Sequence, residues 1–132
     1  MTLRIPSPLP DEVEQLIHDT IRCCITVHRV LGPGLLENTY CRAVGLELDA
    51  AGISFDREKA YPVIYRGQQL CEHRLDFVVR GEIVLEIKSV ERLVPVHHSQ
   101  LLNYMRVAHL RAGLLMNFNV AVLRDGLCRK VL

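Results

Sequence analysis

The stretch that most narrows what this chain can become is "LDFVVRGEIVLEIK", Leu75 to Lys88: two alternating apolar arms around Arg80-Gly81. Side chains alternate between faces along a strand, so Leu75, Phe77 and Val79 share one face of the first arm, and Arg74, Asp76 and Val78 share the other. In the second arm Ile83, Leu85 and Ile87 oppose Val84, Glu86 and Lys88 in the same way. Turning both apolar sets toward one core predicts the pairs Leu75 with Ile87, Phe77 with Leu85 and Val79 with Ile83. A slip of one residue would set apolar against polar side chains along the whole hairpin. This register needs an odd-length connection, Arg80, Gly81 and Glu82. It also sets Asp76 opposite Glu86, about 5 Å apart at Cβ, with Lys88 further along the same face. Two facing carboxylates repel unless a cation or a shared proton lies between them. The hairpin therefore predicts an acidic notch with a positive partner.

The rest of the chain supplies the surroundings. Residues 1–10 carry three prolines and read as an arm, and residues 11–132 as a single domain. From Val13 the positions Leu16, Ile17, Thr20, Ile21, Cys24, Val27, His28 and Leu31 recur at helical steps and predict one buried stripe. Gly32, Pro33 and Gly34 stop that helix. A second helix, roughly Leu35 to Ala51, turns Leu36, Tyr40, Ala43, Val44 and Leu48 inward. After Gly52 the period becomes extended, and "YPVIY", "LCEHRLDFVV" and "EIVLEIKSV" predict three antiparallel strands. Pro95 precedes a helix from His97 to about His109 with the stripe Leu101, Leu102, Met105 and Ala108. "AGLLMNFNV" reads as a buried strand, and "AVLRDGLCRKVL" as a terminal hairpin through Asp125-Gly126. The order predicts a mixed α/β sandwich.

With 132 residues, one core is expected, and a formal charge of +1 argues neither for nor against nucleic acid. An anionic ligand must then be held locally, by bound metal or clustered arginine. Five cysteines without a C-x-x-C and without an apolar leader fit a reducing cytoplasm. Cys23 and Cys24 read as small apolar fillers. No apolar run reaches membrane-spanning length, and the histidines and cysteines lack zinc-ligand spacing. His97 and His98 read as exposed residues near a helix start.

The chemistry that uses two acids and a lysine in this pattern is metal-assisted hydrolysis of a phosphodiester. Carboxylate oxygens suit Mg²⁺ or Mn²⁺, the carbonyl of Ile87 is a candidate further ligand, and Lys88 suits stabilisation of charge on phosphorus oxygens. The motifs "GLLENTY", with Gly34, Glu37 and Tyr40 in a G-x-x-E-x-x-Y pattern, "RLDFVV", "LEIKS" and "SQLLNYMR" together resemble the GxxExxY proteins of the PD-(D/E)XK nuclease-like superfamily, from about Glu12 to Val131. The resemblance implies a restriction-endonuclease-like α/β (α+β) core of order αβββαβ, a mixed central sheet flanked by helices. It implies that Glu37 points into the site, that Asp76, Glu86 and Lys88 are the motif acids and lysine, and that Gln100 is the glutamine opening the following helix. The proline that usually precedes the motif aspartate is replaced by Leu75. The candidate catalytic residues are thus Glu37, Asp76, Glu86, Lys88 and Gln100, with Asp76, Glu86, Ile87 and Glu37 at the metal. Tyr40, Arg74 and Tyr104 are candidate substrate contacts, Tyr104 lying one turn beyond Gln100 on the same helical face.

The expected activity is a metal-dependent nuclease acting on DNA, as a homodimer or in a larger complex because specific DNA interfaces bury at least ~1,000 Å² of protein. The alternative is a catalytically silent nucleic-acid-binding or protein-interaction module that keeps the fold.

Overall fold

The computed structural model describes residues 7–132. Its elements are α1 (Asp11–Leu31), α2 (Glu37–Ala50), β1 (Phe55–Tyr65), β2 (Gln68–Val79), β3 (Ile83–Lys88), α3 (Pro95–Ala108), β4 (Ala112–Asn117) and β5 (Leu127–Val131). The five strands form one sheet in the order β1-β2-β3-β4-β5, with β3 and β4 parallel and every other neighbour antiparallel. A parallel pair needs a crossover, and α3 supplies it between β3 and β4. The αβββαβ order and the mixed, helix-flanked sheet are those expected.

Two apolar layers cover the two faces. α1 and α2 pack with Phe77, Val79, Ile83, Leu85, Ile87, Leu114 and Met116. On the other face Leu101 and Met105 of α3 pack with Leu75, Val78, Val84 and Leu115. α1 begins with Asp11, Glu12 and Glu14 and ends with His28 and Arg29, an arrangement the helix dipole favours. Its buried stripe runs from Val13 to His28, whereas Leu31 is 37% exposed. The Gly-Pro-Gly break is pinned from α2. Tyr40 Oη donates to the Gly32 carbonyl at 2.5 Å and accepts from the Leu35 N–H at 3.1 Å, and its ring stacks on Phe118. Leu9, expected in the arm, packs into the core at 6% exposure, while residues 1–6 of that arm lie outside the described residues.

The hairpin register holds near its turn and fails beyond it. Phe77 pairs with Leu85 and Val79 with Ile83, across the three-residue connection in which Arg80 (φ 50) and Gly81 (φ 66) are left-handed. The ladder stops there, and Leu75 does not pair with Ile87. Leu75 joins Val78 on the α3 side instead of sharing a face with Phe77 and Val79. In β1 the same change of face separates Phe55, against α1 and α2, from Tyr61, against α3. The change falls at one step: Arg57 pairs with Phe77 and Lys59 with Leu75, but Glu58, with φ 51, makes no pair with Asp76 between them. Strict alternation along residues 75–79, the basis of the expectation, is thus broken at Asp76.

Two further expectations are corrected. Leu36 points out, 80% exposed, because it is the N-cap of α2 and not part of its buried stripe. The terminal segment forms no separate hairpin. Leu123–Gly126 makes a 3-10 turn, and β5 then pairs with β4, Ala112 against Val131 through Met116 against Leu127. The backbone donors and acceptors along β4 would otherwise form an open edge.

Candidate active site

The break at Asp76 creates the site. The Asp76 N–H turns to Glu86 Oε1 at 2.9 Å, and the Ile87 N–H donates to Asp76 Oδ2 at 2.9 Å. Each carboxylate takes a position in the ladder that a backbone carbonyl of the opposite strand would otherwise fill. The two acids therefore meet, as the alternation predicts, but as wedges between splayed strands and not as facing neighbours on an intact sheet. In a strand the N–H and C=O of one residue point the same way, so the Ile87 carbonyl also faces this gap. One oxygen of each acid is spent on a backbone donor, which leaves the other for a ligand.

Glu86 is 3% exposed. Burial raises its pKa to about 8, the negative charge of Asp76 adds to the rise, and the Asp76 N–H and the Lys88 charge work against it. Lys88 Nζ donates to Gln100 Oε1 at 3.0 Å, so the ammonium is held between the end of β3 and the second turn of α3. Tyr104 lies one turn further along. Burial first, then the charges of Glu86 and Asp76, raise the pKa of its hydroxyl, and its ring packs at 5.0 Å on that of His73. Glu37 approaches from the α2 side. Burial raises its pKa and Asp76 adds to this, while Lys88 and the Ser89 backbone lower it. Ser89 Oγ donates to the Leu35 carbonyl at 2.6 Å and ties the turn before Glu37 to the end of β3.

The five expected catalytic residues thus gather around one gap, with one correction at its margin. Among the described residues no three His, Cys, Asp or Glu side chains come close enough to hold an ion by themselves. Glu37 approaches the Asp76 and Glu86 pair from α2, where it feels the charges of Lys88 and Asp76. The correction is Tyr40: it is fully buried, with its hydroxyl committed to the Gly32 turn, and it presents nothing to a substrate. Arg74 is exposed on β2. His97 Nδ1 accepts the Val94 N–H at 3.0 Å, which makes it a helix cap.

Asn117 escaped the sequence reading. It is 2% exposed, accepts the Val90 N–H and donates to the Val90 carbonyl at 3.1 and 3.0 Å, and so clamps the loop that follows Lys88. Its signal was present: the amide that ends the apolar run "AGLLMN" needs a partner once buried. Cys41, one turn after Glu37, is inert. Burial pushes its thiol up to about 12, with the Asp76 charge the next cause.

A mixed five-stranded sheet, helices on both faces, and an acid-acid-lysine cluster where a hairpin splays define a nuclease-like class of domain. A family model described as the PD-(D/E)XK nuclease superfamily matches residues 14–130, and the chain belongs to that superfamily. Comparisons with curated proteins and with solved structures give no match. Among the described residues no helix is long and apolar enough to cross a membrane.

Proposed function

We propose that this chain is a divalent-metal-dependent nuclease that hydrolyses phosphodiester bonds in DNA, and that within its superfamily it is a GxxExxY-type protein. The observation that carries the reading is the splayed hairpin: Asp76 and Glu86 each hold one oxygen on a backbone N–H, which leaves two carboxylate oxygens and the Ile87 carbonyl around a single gap. An all-oxygen donor set of this kind fits Mg²⁺ or Mn²⁺, and a buried acid raised to about 8 beside a second acid is a group that gains from a neighbouring cation. Asp76, Glu86 and Ile87 would hold the ion, which would polarise a phosphate oxygen and acidify a bound water.

The chain's own side chains do the rest. Lys88, aimed by Gln100 Oε1, steadies the attacking oxygen and neutralises charge that develops on the phosphorus oxygens. Gln100 has its amide nitrogen left to orient the same water. Glu37 lies beside Lys88 and Asp76 and acts on water at the outer edge of the ion's surroundings. Tyr104 and Arg74 flank the gap as substrate contacts. Covering a duplex calls for a second copy or a partner, and five free cysteines suit a reducing cytoplasm.

A net charge of +1 favours a second reading, a silent binding module on the same fold. The test is cleavage of single-stranded, duplex and branched DNA with Mg²⁺ or Mn²⁺ by wild type, Lys88→Ala and Asp76→Asn. Cleavage by wild type that both variants lose supports the nuclease. Cleavage that persists equally in both refutes these assignments, and metal binding without cleavage supports the module.

A further inference from the structure

Among the described residues one buried side-chain nitrogen has no hydrogen-bond partner, Arg57 Nη1. Its other terminal nitrogen reaches Glu58 Oε1 only at 3.9 Å, beyond hydrogen-bond range, and Glu58 is itself 64% exposed. The guanidinium lies over the Phe77 ring, 4.7 Å from its centroid, so an aromatic face supports the cation and fixes its place. A buried donor without a partner is costly, more so on a charged group, and in a folded protein it marks a place where a ligand or ordered water belongs.

The Arg57 side chain is 28% exposed, although Nη1 itself is covered, and it lines a cleft of about 270 Å³ between α2 and β1 together with Cys41, Arg42, Gly45, Phe55 and Asp49. Gly45 keeps the helix surface low above Phe55. The cleft adjoins the splayed hairpin. Arg57 pairs with Phe77, next to Asp76, and Cys41 lies one turn after Glu37 on α2. The Arg57 guanidinium also lies beside the Cys41 thiol, which feels both that contact and the charges of Asp76, Arg57 and Glu37.

We propose that Arg57, with Arg42 at the rim, is a phosphate-binding subsite on the α2 side of the carboxylate gap, taking a nucleic-acid phosphate that neighbours the one being cleaved. This rests on the nuclease reading above. A guanidinium is planar, always charged and matched to two phosphate oxygens at once. A chain of net charge +1 must grip an anion through such local groups. The contacts to Glu58 and to the Cys41 thiol are weak, and charge-assisted hydrogen bonds to phosphate would replace them.

The test is binding in EDTA, where cleavage cannot contribute, of a 12-nucleotide single-stranded DNA without terminal phosphates and, separately, of inorganic phosphate. Wild type should bind the oligonucleotide. Arg57→Met, which keeps a long side chain over Phe77, should weaken that binding at least about tenfold and lower the slope of log affinity against log salt by about 1. Arg57→Lys should recover part of the loss. On wild type, Arg57 side-chain nitrogen resonances should shift with the oligonucleotide, which keeps the test decisive if a variant fails to fold. A shift with inorganic phosphate alone would assign the subsite to free phosphate and overturn its nucleic-acid role. Equal affinity and salt slope in wild type and Arg57→Met, or Arg57 resonances that neither probe moves, would overturn the subsite altogether. Arg57-dependent binding by a protein that cleaves no DNA would support the subsite and refute only the nuclease reading.

Discussion

Glu86→Gln should make this protein more stable while abolishing its proposed activity. The reason lies in the gap between β2 and β3, where two acids are held together and one of them is buried. The Glu86 pKa rises from an ordinary 4.5 to about 8, first through burial and then through Asp76. An unfolded chain releases that proton near pH 4.5, and the folded chain retains it toward pH 8. Over this window the unfolded state binds fewer protons, so folding stability falls as pH rises. At about 1.4 kcal/mol per pH unit the whole window amounts to roughly 5 kcal/mol, of which roughly 3 has been lost by pH 7. A glutamine keeps the oxygen that accepts the Asp76 N–H and offers its amide hydrogens to the free oxygen of Asp76. The variant should therefore gain about 1–3 kcal/mol over wild type at pH 7.5 in EDTA, with a nearly flat profile from pH 5 to 8. Urea unfolding followed by circular dichroism at half-unit pH steps measures both quantities. Mg²⁺ should raise the stability of wild type and leave the variant unchanged. A wild-type stability that is level or rises from pH 5 to 8, or a variant less stable than wild type at pH 7.5, would refute the reasoning.

Two other perturbations follow from contacts outside the gap. A methyl group at Gly126 would overlap the backbone oxygen of Asn117, which has no freedom to yield. Gly126→Ala should cost about 1–3 kcal/mol and lower the thermal midpoint by at least about 3 °C; an unchanged midpoint would show that the turn before β5 relaxes. Arg129 holds Glu14 with two hydrogen bonds and, helped by Ser7, draws its pKa from 4.5 to about 2. A depressed acid contributes stability that is present above its unfolded pKa and is lost as pH falls through its folded one. Both side chains are about a third exposed, so Arg129→Gln should cost only about 1 kcal/mol at pH 6. The difference should vanish by about pH 2, and a cost that stays constant over that range would mean the arginine acts through packing.

The amino-acid sequence by itself determined the elements and their order as far as β4, the helix break at Gly32 to Gly34, and the register of the hairpin next to its turn. These rest on local periodicity and turn chemistry. From that register it also brought Asp76 to Glu86 with Lys88 further along the same face, and the resemblance to the GxxExxY proteins added Glu37 and Gln100 as expectations. Only the tertiary structure decided that β1 and β2 both change face at Glu58 and Asp76, because a period-two pattern has no term for side chains that replace backbone in the ladder. It alone decided that β5 completes the main sheet, since an edge is satisfied by whichever strand reaches it. It alone placed Arg57 over Phe77 with one nitrogen unpaired: that depends on how β1, β2 and α2 come together, and no single segment of the chain carries that information.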